Sequence, residues 1–435
     1  MTSGGIPIST LNKERRIMAK SSSNKNAKVS KDSQKSQKTT RTRLSKETDE
    51  FIFLVSERYF TELGQSIDKT DASAKQSQGK KRGPTTIVSD WIKEIYHRDD
   101  ITREKIYPIL WEATRRGFLL LNPPVKKELH DELIKRYDLQ RHIDQTNGDI
   151  IVTNVTGNTT TSNVSLTAAD KIIELIDRVD SMKKSKAIQE KKNPEEVRVH
   201  LGIGAGYVAE MVSERLASRS SSELPKLTLH AISPGGYYLE EPQKDTSTYF
   251  ANFTKQSLDV KVVGLFSTPI VNGTSLDSLI ANPSFLESYK KRDEIDVLVT
   301  SLASADDDHG LLKQFFVYLR DSKMLEEDVI QTLKNKGWVG DILFQPYSQK
   351  KAIGPDSVTP VALFTLPELV RFAQKPNKYV VLTGGPCGEC HKSKASALRP
   401  LLRDPSMRAW THLIIDANTA NELTVKEPIV NFPET

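Results

Sequence analysis

From Val197 onward, short apolar runs alternate with amphipathic stretches, and this alternation constrains the fold more than any other feature of the chain. "VRVHLGIG" precedes "YVAEMVSERLA". "KLTLHAIS", "VKVVGLF" and "IDVLVTSLA" follow, the last leading into "LLKQFFVYLRD". "KYVVLTGG" then precedes "SALRPLLRD", and "THLIIDA" precedes "TANELT". Runs this short and this apolar suit strands covered on both faces, and the stretches between them suit crossover helices. The pattern predicts an α/β domain over 197–425 with a doubly wound, mostly parallel sheet. Ligands of such sheets sit at the carboxyl ends of the strands.

Three strand ends are equipped for a ligand. In "LGIGAGYVAE", Gly202, Gly204 and Gly206 let backbone N–H groups approach an anion at the start of the next helix. The spacing is Gly-x-Gly-x-Gly and not the dinucleotide fingerprint Gly-x-Gly-x-x-Gly. In "GWVGDI", Asp341 follows a Gly-rich turn, and in "VVLTGGPCGECHKSK", Gly384 and Gly385 end a strand with lysines after them.

The N-terminal third is helical. "ETDEFIFLVSERYFTEL" (47–63) places Phe51, Leu54, Val55, Arg58 and Tyr59 at helical spacing, and a polar insert, 64–86, follows. "IVSDWIKEIYHRDDITREKIYPILWEATRRGFLLLNPP" reads as helix, turn, second helix and a short strand ending at Pro123, with Asp99, Asp100 and Thr102 as cap candidates. Helix, turn, helix and strand is the winged-helix order, which puts a helix into the major groove. Pro108 lies inside the second helix, where it removes a backbone donor, so the helix is expected to start near it or kink there. Residues 125–139 form another amphipathic helix, which gives a DNA-binding domain over 47–145. Residues 146–196 are expected to be a Thr/Asn-rich linker plus one helix.

Charge is distributed unevenly. Residues 1–46 carry 12 Lys/Arg against 2 Asp/Glu; the whole chain has 62 against 56, so the remainder holds 50 against 54. The positive charge is therefore local, on a stretch with no aromatic residue, expected to be a disordered basic tail. Such an arm on a near-neutral body suits a chain held near a polyanion, or simply a solubilising tail. Residues 426–435 are read as a C-terminal tail. No apolar run approaches the ~18 residues of a membrane span and no secretory signal is seen, so the expected location is cytoplasmic, without membrane association.

Both cysteines lie in "PCGECHKS", as Cys387 and Cys390, directly followed by His391. Haem attachment through Cys-x-x-Cys-His requires export and a second axial ligand. Structural zinc needs four ligands; this stretch offers three, and the nearest later histidine, His412, falls inside another strand pattern. A redox pair at a helix start and two small residues in an extended loop both stand as readings. No metal and no cofactor is expected.

With these elements placed, the chain resembles the SorC (deoxyribonucleoside-regulator-like) family of bacterial transcriptional regulators. "ITREKIYPILWEATRRGFLLLNPP" with "KKELHDELIKRYDL" is similar to the family's recognition helix, wing and following helix. "VHLGIGAGYVAEMVSERLA" is similar to its first βα unit, "GWVGDILF" to its "GAVGDI" turn, and "VVLTGGPCGECHKSKASAL…THLIIDANTANEL" to its C-terminal motif.

The resemblance implies a winged helix-turn-helix followed by a sugar-binding domain of the phosphosugar-isomerase and CoA-transferase-like fold. The implied partners are double-stranded DNA and a sugar or sugar phosphate, in a homodimer or homotetramer. The implied effector contacts are Gly202, Gly204, Ala205, Gly206, Tyr207, Val208, Gly235, Gly236, Asp341, Gly384, Gly385 and Lys394, or Lys392 if the loop aligns differently. The implied DNA contacts are Thr102, Arg103, Lys105, Tyr107, Arg115 and Arg116, with Lys80, Lys81 and Arg82 of the insert. Tyr207 and Val208 stand where the family has hydroxyl residues, and "PCGECHKS" lengthens the Gly-Gly loop. A phosphosugar isomerase or deaminase of the same fold, with Asp341, His391 or Glu389 as base, is the enzymatic alternative. A relative that binds nucleic acid or a protein partner without a small ligand is the other.

Overall fold

The computed structural model describes residues 47–72, 82–116, 118–119, 123–154, 160–219, 224–234, 246–255, 258–265, 267, 270–272, 278, 280–323, 328–353 and 358–425. The expected basic tail (1–46), Lys80, Lys81, Gly235, Gly236 and the C-terminal tail (426–435) lie outside them. Two compact units divide the chain, 1–121 and 122–435.

Among the described residues the first unit has three helices, α1 (Asp49–Ala72), α2 (Pro84–Tyr96) and α3 (Arg103–Arg115). They share an apolar centre of Ile52, Val55, Val88, Ile92, Ile106, Ile109 and Ala113, which follows from the helical spacing of these residues in each segment. α1 runs on to Ala72, into what the sequence suggested was a polar insert. α3 begins at Arg103 after the N-cap Thr102 and continues through Pro108. The carbonyl that loses its donor belongs to Glu104, which is exposed, so water can satisfy it. The strand expected to end at Pro123 falls largely on residues that are not described.

The second unit opens with α4 (Lys127–Tyr137) and α5 (Gln140–Thr146), then β1 (Asp149–Thr153) and the 30-residue α6 (Thr160–Gln189). β2 (Val199–Ile203), α7 (Tyr207–Ala217), β3 (Leu227–Ala231), α8 (Thr246–Lys255) and β4 (Val260–Val263) come next, followed by β5 (Ile270–Asn272), α9 (Pro283–Lys290) and β6 (Val297–Ser304). Then come α10 (Leu311–Asp321), α11 (Val329–Asn335), a hairpin of β7 (Gly340–Ile342) and β8 (Gln345–Tyr347), β9 (Val358–Pro360) and α12 (Leu366–Ala373). The chain closes with β10 (Tyr379–Thr383), α13 (Ala395–Arg403), β11 (His412–Asp416) and α14 (Ala417–Thr424).

The sheet order is β1-β11-β10-β6-β2-β3-β4, all parallel, with β7 antiparallel on the end of β6 and β8 on β7. β10 and β11 are buried along their whole length, as their unbroken apolar runs require. α6 and α7 pack together along one face, and α12 and α13 serve the other, as right-handed crossovers on either side of β2 dictate.

Residues 146–196, expected as linker plus helix, instead supply a sheet edge and a core helix. β1 pairs with β11, and α6 buries Val164, Ala168, Ile172, Leu175, Ile176 and Val179. α4 likewise belongs to this unit: the Tyr137 hydroxyl donates to the Leu423 carbonyl at 2.9 Å. Among the described residues no helix is long and apolar enough to cross a membrane.

Candidate functional site

Strand order reverses between β2 and β6, because β3 and β4 extend one way from β2 while β6, β10 and β11 extend the other. This is the switch point, where the loops leaving neighbouring strands part and open a crevice. A cavity of about 100 Å³ lies there. Its walls come from the β2–α7 turn (Ala205 to Val208), the end of β6 (Ser301 to Ala303) with Asp307 and His309 beyond it, Asp341 on β7, and Pro386, Cys387, Gly388 and Lys394 after β10.

The β2–α7 turn depends on Gly206, whose φ of 124° is a conformation side-chain-bearing residues avoid. Two of its N–H groups are already engaged: that of Ala205 donates to Ser233 Oγ at 3.0 Å and that of Gly206 to the Tyr249 hydroxyl at 3.2 Å. Tyr207 is 46% exposed and Val208 is buried. Gly202, Gly204 and Gly384 are closed in by Ile232, Thr300 and Leu398, and Gly385 by Val164, so these four serve packing.

Asp341 lies within β7, opposite Ala303 of β6, and not in the turn its sequence suggested. It is 6% exposed and its Oδ2 has no hydrogen-bond partner. Burial pushes its pKa up to about 8 although Lys394 opposes this, so near neutrality it is chiefly a neutral carboxyl that can donate. Lys394, 8% exposed, donates from Nζ to the Leu302 carbonyl at 2.8 Å. Burial lowers its pKa, and the charges of Asp307, Cys387 and Asp341 hold it up. Lys392 points elsewhere, onto the carbonyl of Asp306, and is exposed.

The β7–β8 hairpin closes on Leu343 and Phe344, both left-handed at φ 52° and 62°. Two-residue turns of this kind normally use Asn-Gly. Here two buried apolar side chains accept the backbone strain and wall the cavity.

Sequence reasoning missed Asp307 and His309, although "ADDDH" directly after β6 is a dense polar cluster at a strand end. Asp307 Oδ1 accepts the His309 N–H at 2.9 Å and the Cys390 thiol at 3.5 Å. Burial would raise its pKa, but the His309 N–H, the Cys387 thiol and Lys394 more than offset this, and it is lowered. Burial pushes the Cys387 thiol up to about 11, so it lacks the lowered pKa of a redox nucleophile. His391 has φ 57° and is exposed, and Glu389 reaches His309.

The expected DNA contacts in the first unit have varied surroundings. Arg116 is spent on protein acceptors: Glu112 at 2.8 Å, Asp49 at 2.6 Å and the Glu47 carbonyl at 2.9 Å. Arg103 is exposed and pairs with Glu104, Arg82 pairs with Asp90, and Lys105 donates to the Asp100 carbonyl. Thr102 is exposed, Tyr107 is 60% exposed, and the side chain of Arg115 is not among those described.

No known sequence family matches the chain, and no characterised protein matches it by sequence. Among solved structures, bacterial regulators are similar. The full-length sorbitol operon regulator SorC from Klebsiella pneumoniae matches at 14% identity and a TM-score of 0.49, over 78% of this chain and 98% of that one. A DeoR family transcriptional regulator from Listeria monocytogenes matches at 16% and 0.47, over 68% and 98%. A transcriptional regulator from Streptococcus pneumoniae matches at 16% and 0.48, over 68% and 95%.

Proposed function

We propose that the chain is a DNA-binding transcriptional regulator whose α/β unit takes a sugar or sugar phosphate as effector at the switch-point cavity. The observation that carries this reading is the pairing, in one crevice at the strand ends, of a buried cation, Lys394, with a buried carboxyl, Asp341, that has an unpartnered oxygen. Buried polar groups demand partners. A sugar hydroxyl satisfies a neutral carboxyl, and an anionic group satisfies the ammonium. The order of sequence motifs, helical unit first and this domain second, supports the regulator role. Effector binding would shift the population between oligomer geometries and so alter the grip on operator DNA.

A second reading, a relative that binds nucleic acid or a protein without a small ligand, is favoured by two observations. The cavity of about 100 Å³ is below the roughly 300–1,000 Å³ of small-molecule sites. The N–H groups of Ala205 and Gly206 are already occupied. A thermal-shift panel of sugars and sugar phosphates on the full chain separates the readings: stabilisation supports an effector, and a flat response with DNA retention intact supports the second.

A further inference from the structure

We propose that Asp307, His309, Cys387 and Cys390 form a tetrahedral site for one zinc ion at the rim of the cavity. One ligand atom from each lies within 4.8 Å of all the others, and among the described residues no other group of three or more such side chains comes this close. Zinc bonds of about 2.3 Å to sulfur and about 2.0–2.2 Å to nitrogen or oxygen place tetrahedral neighbours roughly 3.3–3.8 Å apart. Three of the six separations fall in this range: Cys387 Sγ to His309 Nδ1 is 3.7 Å, Cys390 Sγ to Asp307 Oδ1 is 3.5 Å, and His309 Nδ1 to Asp307 Oδ1 is 3.3 Å.

The donor set selects the metal. Two thiolates with an imidazole favour zinc over magnesium or calcium, which take oxygen ligands. An outer layer is also in place: Glu389 Oε2 lies 3.4 Å from Nε2 of His309, the nitrogen not facing the cluster, in the carboxylate–histidine–metal arrangement that orients a ligating ring. The Cys387 N–H donates to the Lys392 carbonyl and the His391 N–H to the Cys387 carbonyl, at 3.0 and 3.1 Å, which closes the turn around the sulfur.

Charge balances as well. Two thiolates and one carboxylate around a divalent cation leave one negative charge, and the buried Lys394 ammonium lies beside Asp307, Cys387 and Cys390. On binding, the two thiol protons pass to solvent. Cys-x-x-Cys-His in the sequence thus points to the wrong histidine: His391 is turned out by its φ of 57°, and the ligand is His309. The metal would tie the loop after β10 to the end of β6 and fix one wall of the cavity, whatever ligand the cavity takes.

Cobalt titration of the full chain, reduced and stripped with chelator, tests this. The expected result is thiolate-to-cobalt charge transfer with tetrahedral d–d bands, saturating at about one equivalent and abolished by zinc. His309→Ala loses the signal, His391→Ala keeps it, and Glu389→Gln weakens zinc binding ~10–100-fold. Cys387→Ser and Cys390→Ser are expected to lose it too, but Cys387 is buried, so the two histidine variants, both at accessible positions, carry the decision. Absence of the charge-transfer band in the wild type, or a signal that survives His309→Ala and vanishes in His391→Ala, would overturn the assignment.

Discussion

The ammonium of Lys394 donates to the carbonyl of Leu302 at 2.8 Å, which pins the cation at the start of α13 to the end of β6. Its side chain faces the switch-point cavity while its hydrogen bond holds it rigid, an arrangement suited to a fixed recognition charge. Lys394→Met keeps the volume and removes the charge. The Leu302 carbonyl then loses its donor, so a stability loss of about 1–3 kcal/mol is expected, together with loss of any effector-dependent rise in melting temperature. Thermal melts of both proteins with and without ligand check this.

The loop after β10 rests on Tyr207: a Cβ built on Gly388 would lie 2.8 Å from the tyrosine ring. Gly388→Ala must therefore displace the ring or the loop. It is expected to destabilise by about 1 kcal/mol, and Tyr207→Ala should recover most of that loss. A double-mutant cycle by chemical denaturation measures the coupling, expected within the ~0.5–3 kcal/mol of contacting residues.

Two buried histidines make stability pH-dependent. Burial, with neighbouring His200, lowers His230 to about 3, and burial, with Lys171, lowers His412 to about 4. Below pH 6.5 the unfolded chain takes up protons that these native side chains refuse, so their contribution to stability falls as pH drops from about 6.5 toward these values and is flat above. At pH 5 each contributes a loss of about 2 kcal/mol relative to pH 7. Denaturation of the wild type and His230→Gln at the two pH values tests this: the variant should lose about 2 kcal/mol less between pH 7 and pH 5 than the wild type.

In the three-helix unit, two of the four arginines assigned to DNA, Arg116 and Arg103, behave differently. Arg116 ties α3 to the start of α1 through Glu112, Asp49 and the Glu47 carbonyl, so Arg116→Ala is expected to destabilise by about 2–3 kcal/mol. Arg103 is exposed with only Glu104 as partner, so Arg103→Ala should change stability by less than about 0.5 kcal/mol. If α3 meets phosphate, Arg103→Ala lowers DNA affinity and reduces the salt slope by about one. Denaturation and salt-dependent fluorescence anisotropy separate the two roles.

The parallel sheet was legible because β2, β3, β6, β10 and β11 are largely buried and read as short, mostly apolar runs. β1 was missed although "DIIVT" is such a run: its Thr/Asn-rich surroundings suggested a linker, and only pairing with β11 reveals the strand. Asp341 and Lys394 were singled out from their motifs, and the fold brings both to the switch-point cavity. The cysteine cluster was not, because His309 precedes Cys387 by 78 residues and only the β6–β10 pairing brings their loops together. Spacing rules read neighbours in sequence, and here the third and fourth ligands are neighbours in the sheet.

An effector site at the switch-point cavity must govern DNA binding. The most direct measurement is the affinity of the full chain for DNA, by anisotropy at fixed salt, with and without the sugar phosphate that most raises its melting temperature, in the wild type and Lys394→Met. The account predicts an affinity that changes at least several-fold with ligand in the wild type and does not change in the variant. An unchanged wild-type affinity across the panel, or an equal response in Lys394→Met, would contradict it.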